Sequence, residues 1–128
     1  MWNPPIALTP EEQKIVARTR KTRKFFVFLR ERRHELLDAD FQHTLAQSYS
    51  TEPGGKAPVE AGLLALATLL QAYCKVGDRD AVDLTVMDKR WQMVLDCLGA
   101  EQPPFSQSPL FNFRMRLIAH DLDQRLLE

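Results

Sequence analysis

The chain has 128 residues, 45% of them hydrophobic and 27% charged. That is enough apolar matter for one domain with a sizeable core, and too much for a wholly disordered chain. Seventeen basic residues balance seventeen acidic ones, which argues against a histone-like or acidic-chaperone character, and two cysteines do not make a disulfide framework.

The first residues, Met1, Trp2, Asn3, Pro4 and Pro5, hold no basic stretch leading into an apolar run, so no secretory signal is expected. Thr9, Pro10, Glu11 and Glu12 then form a strong helix start. The threonine caps, the proline takes the tolerated first position, and Glu12 completes a capping box. Ile15, Thr22, Leu29 and Leu36 recur every seven residues with Phe26 and Leu37 beside them, a spacing that predicts one long helix reaching about Leu37. Asp38 or Asp40 is expected to cap a shorter helix carrying Phe41, Leu45 and Tyr49. Residues 50–58 gather Pro53, Gly54, Gly55 and Pro58, an exposed loop.

From Val59 helical spacing returns. Leu63, Leu66, Leu70 and Tyr73 mark one face and Leu64, Ala67 and Cys74 widen it, so this helix should be largely buried. Residues 61–72 are too short a run to span a bilayer and are interrupted by Thr68 and Gln71. Gly77 reads as the stop and Asp78 as the next cap. One further helix should place Ala81, Leu84, Trp91, Leu95 and Leu98 on one side before Gly99 ends it. A turn-rich connection at 101–108 follows, then a cap-plus-proline start at Ser108 and Pro109 sending Leu110, Phe113 and Leu117 inward. A final helical turn is expected at 121–127. The expected fold is all-α: a compact multi-helix domain with a long basic N-terminal helix. Its parts are a basic helical region over 1–49, the loop over 50–58 and a helical domain over 59–128, together one compact unit.

The chemistry of enzymes finds little support. His34, His43 and His120 fall in three different elements, and Cys74 and Cys97 lack zinc-type spacing. Gly54, Gly55 and Lys56 lack the first glycine and the hydroxyl of a phosphate loop. Asp78, Asp80, Asp83 and Asp88 stand among Arg79, Lys89 and Arg90, so capping and ion pairing suit them better than a metal cluster. No catalytic residue, metal ligand or cofactor is expected.

The zero net charge hides a division. Residues 14–33 carry nine basic side chains against Glu31 alone, and the rest of the chain carries eight basic against sixteen acidic. On one continuous helix Lys14, Arg18 and Lys21 would share a flank with Arg32, Arg20 and Lys24 would stand on the back, and Arg23 and Arg30 would occupy the opposite flank. Such density implies a counter-charge: phosphates, an acidic protein surface, or solvent and salt alone. Contacts to phosphates would make binding fall steeply with salt.

The later blocks carry a resemblance. Pro58, Val59 and Glu60 lead into Leu69, Leu70, Gln71, Ala72 and Tyr73, followed by Gly77, Asp78, Arg79, Asp80, Ala81 and Val82, then Asp88, Lys89, Arg90 and Trp91. Pro104, Phe105, Ser106, Gln107 and Ser108 come next, and Phe113, Arg114, Met115, Arg116, Leu117 and Ile118 close the series. This ordered set, over somewhat more than half the chain, resembles the helical N-terminal domain of bacterial insertion-sequence transposases of the DDE type. Gly77 stands where that family usually has serine, and Phe111 and Asn112 where it often has leucine or valine with arginine or serine. Family members cut and join DNA with three carboxylates and divalent metal in a ribonuclease-H-like domain that follows this region; the strands bearing those carboxylates are not in this sequence. The resemblance therefore implies a non-catalytic DNA-binding and assembly domain. Its partners would be duplex DNA at the element's terminal inverted repeats, a second copy or full-length transposase, in the cytoplasm and away from membranes. Lys14, Arg18, Arg20, Lys21, Arg23, Lys24, Arg30, Arg32, Arg114 and Arg116 are the expected DNA contacts. The competing reading is a helical interaction module, dimerising or regulating a transposase, that holds no DNA.

Overall fold

Thr9 begins the first helix as its sequence demands. In the computed structural model, which describes residues 1–48 and 59–119, the Thr9 hydroxyl accepts from the Glu12 amide (3.1 Å) and the Glu12 carboxylate accepts from the Thr9 amide (3.0 Å), closing the capping box. Helix α1 (Pro10–Thr19) then ends after ten residues. A turn follows in which the amides of Thr22 and Arg23 donate to the Thr19 carbonyl, and α2 (Lys24–Leu36) starts afresh. The long basic helix expected from the seven-residue spacing is thus two shorter helices, and Thr22, placed by that spacing on the apolar stripe, is exposed in the turn.

The physical reason lies outside the local pattern. Glu12 and Arg30 meet at 2.6 Å, whereas a continuous helix would hold positions eighteen apart about 27 Å from each other. Folding α1 back on α2 also buries Val16 beside Val27 and Met93, and Thr19 is buried as well.

Asp38 caps α3 (Ala39–Ser48), its carboxylate accepting from the Phe41 amide at 2.8 Å. Tyr49, the 50–58 loop, His120 and the expected turn at 121–127 lie outside the described residues. Helix α4 (Ala61–Cys74) is the axis of the core. Ten of its fourteen residues are buried, and a helix apolar on nearly every side must be surrounded by others. Gly62 makes this possible on one flank: a Cβ there would stand 2.8 Å from the Gln42 Oε1 atom and 3.2 Å from the Trp2 ring. Gln42 in turn accepts from the Trp2 amide and donates to the Trp2 and Leu37 carbonyls, tying the N-terminal strap over α3 and α4.

Lys75, in the left-handed conformation (φ 58°), ends α4, and Gly77 is the N-cap of α5 (Asp78–Met87) rather than the stop of α4. The single helix expected across 78–98 breaks at Asp88, where the backbone turns extended. The Asp88 carboxylate caps α6 (Lys89–Val94) through the Arg90 amide, so a strong cap wins over helix continuity. Trp91 is buried at the centre as expected, and α7 (Gln107–Ala119) brings Leu110, Phe113 and Leu117 into the same core. The described residues contain seven helices and no strand, so the all-α expectation holds. Among them, no helix is long and apolar enough to cross a membrane.

Candidate nucleic-acid interface

Nine cations over residues 14–33 enter the fold, and their neighbours sort them into three groups. Arg30 and Arg33 go inside; each is 1% exposed. The Arg30 guanidinium donates to both Glu12 oxygens (2.6 and 3.1 Å) and to the carbonyls of Ile6 and Ala7. Burial would raise the Glu12 carboxyl, but the hydrogen bonds from Arg30 and Thr9 outweigh it and hold Glu12 below its ordinary value. Arg33 has no carboxylate partner among the described residues. It donates to the carbonyls of Met93 and Val94 at the end of α6, where the helix dipole is negative, and to Pro5. Burial and the nearby Arg30 push the Arg33 guanidinium down to about 10, still charged at neutral pH.

Arg30 was expected among the DNA contacts. The structure gives its donors to Glu12 and the N-terminal strap instead, leaving it no exposed face for a phosphate.

Two further cations have exposed acidic neighbours: Arg20 stands 3.8 Å from Glu31, and Arg32 pairs with Glu35 at 3.0 Å. Exposed pairs of this kind contribute little and leave the cations accessible. The remaining five, Lys14, Arg18, Lys21, Arg23 and Lys24, are exposed and form no ion pair within the described residues. They lie on the outer half of α1, on the turn and on the start of α2. That start has no acidic residue in its first turn and no side-chain cap, so the positive end of the helix dipole adds to the same corner.

The fold supplies one member that the sequence did not single out. A shallow groove of about 290 Å³ joins Ile15, Arg18, Thr19 and Thr22 to Lys89 and Arg90. Lys89 is exposed there, while Arg90 is bound to Asp88 at 2.7 Å and lies over the Phe26 ring. In the sequence Lys89 stands in a mixed-charge run and in one block of the resemblance, neither of which marks it as a contact, and its approach to Arg18 depends on α6 packing against α1.

Arg114 and Arg116 belong to a different part of the molecule, on α7, which packs against α3, α4 and α5. Arg114 is committed internally: its guanidinium makes two bonds to Asp78, one of them at 3.0 Å, and one to Gln71. The Arg114 hydrogen bonds draw the Asp78 carboxyl below its usual value. Asp78, expected as a helix cap, is therefore a tie between α5 and α7. Arg116 is half-buried in the last turn of α7.

The two thiols are not activated. Burial raises Cys74 and pushes Cys97 up to about 11, with Asp96 adding to the latter. Comparison with family models, with curated proteins and with solved structures finds no match to this chain.

Proposed function

We propose that this chain is a DNA-binding and assembly domain of an insertion-sequence transposase. It contacts the ends of the element in the cytoplasm and leaves strand transfer to a catalytic domain outside these residues. One observation carries the reading. Five cations that form no ion pair within the described residues, Lys14, Arg18, Lys21, Arg23 and Lys24, crowd one helix–turn–helix corner while Arg30 and Arg33 are taken inside. Evenly solvated charge would be interspersed with acids, as the α5 surface is; a corner of one sign suits a polyanion. Because phosphate contacts position without reading sequence, the corner accounts for affinity and orientation, and base specificity needs further contacts.

Titrating a labelled duplex at several salt concentrations tests this. If the five cations each meet a phosphate, log affinity falls against log salt with a slope of about −4.5, and Lys21→Glu with Lys24→Glu flattens it by about 1.8. Absence of binding at low salt would reject the proposal.

A second reading, an interaction module without DNA, is favoured by one feature. Phe111, Met115 and Ile118 form an exposed apolar stripe along α7 at one-turn spacing. A concentration-dependent oligomer in sedimentation velocity, combined with no DNA binding, would select it.

A further inference from the structure

An aromatic cluster adjoins the cation corner at the edge of the core centred on α4, rooted there by Phe25 and by the edge contact of Tyr73 with buried Phe26 (5.8 Å). Phe25 and Phe28 lie on α2 with their rings nearly parallel (16°) and 6.3 Å between centroids. Tyr73, from the last turn of α4, packs on Phe25 at 4.7 Å. Phe28 is 48% exposed and Tyr73 37% exposed, although large aromatic rings are the side chains with most to gain from burial. The cluster is edged by positive charge: the Arg23 guanidinium lies 5.9 Å from the Tyr73 ring centre, and Lys24 precedes Phe28 by one turn of α2. Arg32 follows Phe28 by one turn and is shared with Glu35, while Glu31 is shared with Arg20.

Partly exposed rings beside cations that form no ion pair within the described residues are the combination that holds unpaired nucleobases, the rings stacking on bases and the cations taking the flanking phosphates. An apolar protein partner would not explain Arg23 and Lys24 at the rim, and an intact duplex offers its bases only at their edges. We infer that Phe25, Phe28 and Tyr73 form a stacking platform for unpaired bases at the end of, or at a break in, the DNA held by the Lys14–Lys24 corner. The inference rests on the proposed DNA-binding function and sharpens it: the ligand is a duplex carrying a short single-stranded stretch, not a blunt one.

The test compares three fluorescein-labelled probes by anisotropy at one salt concentration: a blunt duplex, the same duplex with a five-nucleotide single-stranded end, and the free strand. The variants are Phe28→Ala, Phe28→Leu and Phe28→Trp, all at a half-exposed position and each checked for unchanged helical circular dichroism. The tailed duplex is expected to bind about tenfold tighter than the blunt one, the scale of one base stacked on an aromatic ring. Phe28→Ala and Phe28→Leu should erase that preference without altering blunt-duplex affinity, and Phe28→Trp should keep or increase it. Leucine preserves apolar area without a π face, so a Phe28→Leu protein that behaves like the wild type overturns the platform. Equal binding of blunt and tailed duplexes by the wild type also overturns it while leaving the DNA-binding reading intact. Failure of the wild type to bind any probe overturns both.

Discussion

Replacing Arg30 by alanine isolates the structural use of charge in this fold. The substitution removes two bonds to the Glu12 carboxylate, at 2.6 and 3.1 Å, and two to the carbonyls of Ile6 and Ala7. Ile6 and Ala7 are exposed and can turn their carbonyls to water; Glu12, 7% exposed, cannot. It would keep the Thr9 amide as its remaining partner and stand as a buried charge without a counter-charge. Removing one member of such a pair costs about 3–5 kcal/mol, a large share of the roughly 5–15 kcal/mol that stabilises an ordinary domain. The pH dependence has a defined sign. In the wild type the Glu12 pKa is lowered, so its contribution is present above the unfolded value and is lost as pH falls through the folded value. In the alanine variant only the Thr9 hydrogen bonds still oppose burial, so the Glu12 pKa rises above its wild-type value and protonation relieves part of the defect. Urea unfolding followed by circular dichroism should therefore show a large difference between the two proteins at pH 7 that narrows toward pH 4. A difference below about 0.5 kcal/mol, the range of an ordinary surface substitution, or one independent of pH, would refute the assignment of Arg30 to the interior.

Three other outcomes follow from the same geometry. Asp78→Asn should destabilise by about 1.5–3 kcal/mol in urea, the worth of hydrogen bonds to a charged group, by loosening α7 from α5; an unchanged midpoint would mean the tie contributes nothing. Glu12, Asp78 and Asp88 all have lowered carboxyl pKa values. Their stabilisation is complete above the usual carboxylate range, so the wild type should lose stability progressively below about pH 4, and a flat profile from pH 5 to 2.5 would contradict these pairings. Cys97, raised to about 11, should react with iodoacetamide at neutral pH about three hundredfold more slowly than an unfolded thiol with its ordinary value near 8.5; equal rates by mass spectrometry would refute its burial.

Local signals were legible where the controlling atoms are close in sequence. The Thr9 and Glu12 capping box, a cap at Asp38 or Asp40 and a largely buried α4 follow from spacing alone; the structure reproduces the first and the last and selects Asp38. The breaks were not legible. The seven-residue recurrence of Ile15, Thr22, Leu29 and Leu36 would look the same with or without a turn at Thr22. What decides is the bond between Glu12 and Arg30, which periodicity does not register. Asp88 does both the capping and the ion pairing expected of it, but as the N-cap of α6 it breaks the single helix that the spacing predicts across 78–98. The site shows the same limit. Arg30 and Arg32 are two residues apart with the same chemistry, and one is 1% exposed while the side chain of the other is 56% exposed. Their fates depend on which face of α2 meets α1 and α6.

The buried and the exposed cations have a common cause. Glu12 and Arg30 lie at similar distances along the chain from the turn that separates α1 from α2, so their pairing folds the two helices together and leaves residues 20–24, at that turn, on the outside. Those residues are the most cationic in the sequence: Arg20, Lys21, Arg23 and Lys24. On one straight helix their charges would spread around its circumference and along its length. Folded, they follow Arg18 around the turn, and Arg18 itself shares a groove with Lys89 of α6. Mutual repulsion at that corner opposes folding, and the pair with its hydrogen-bonded strap offsets it from inside. Arg30 is thus no contact for a polyanion, but the surface that would meet one exists because Arg30 is buried.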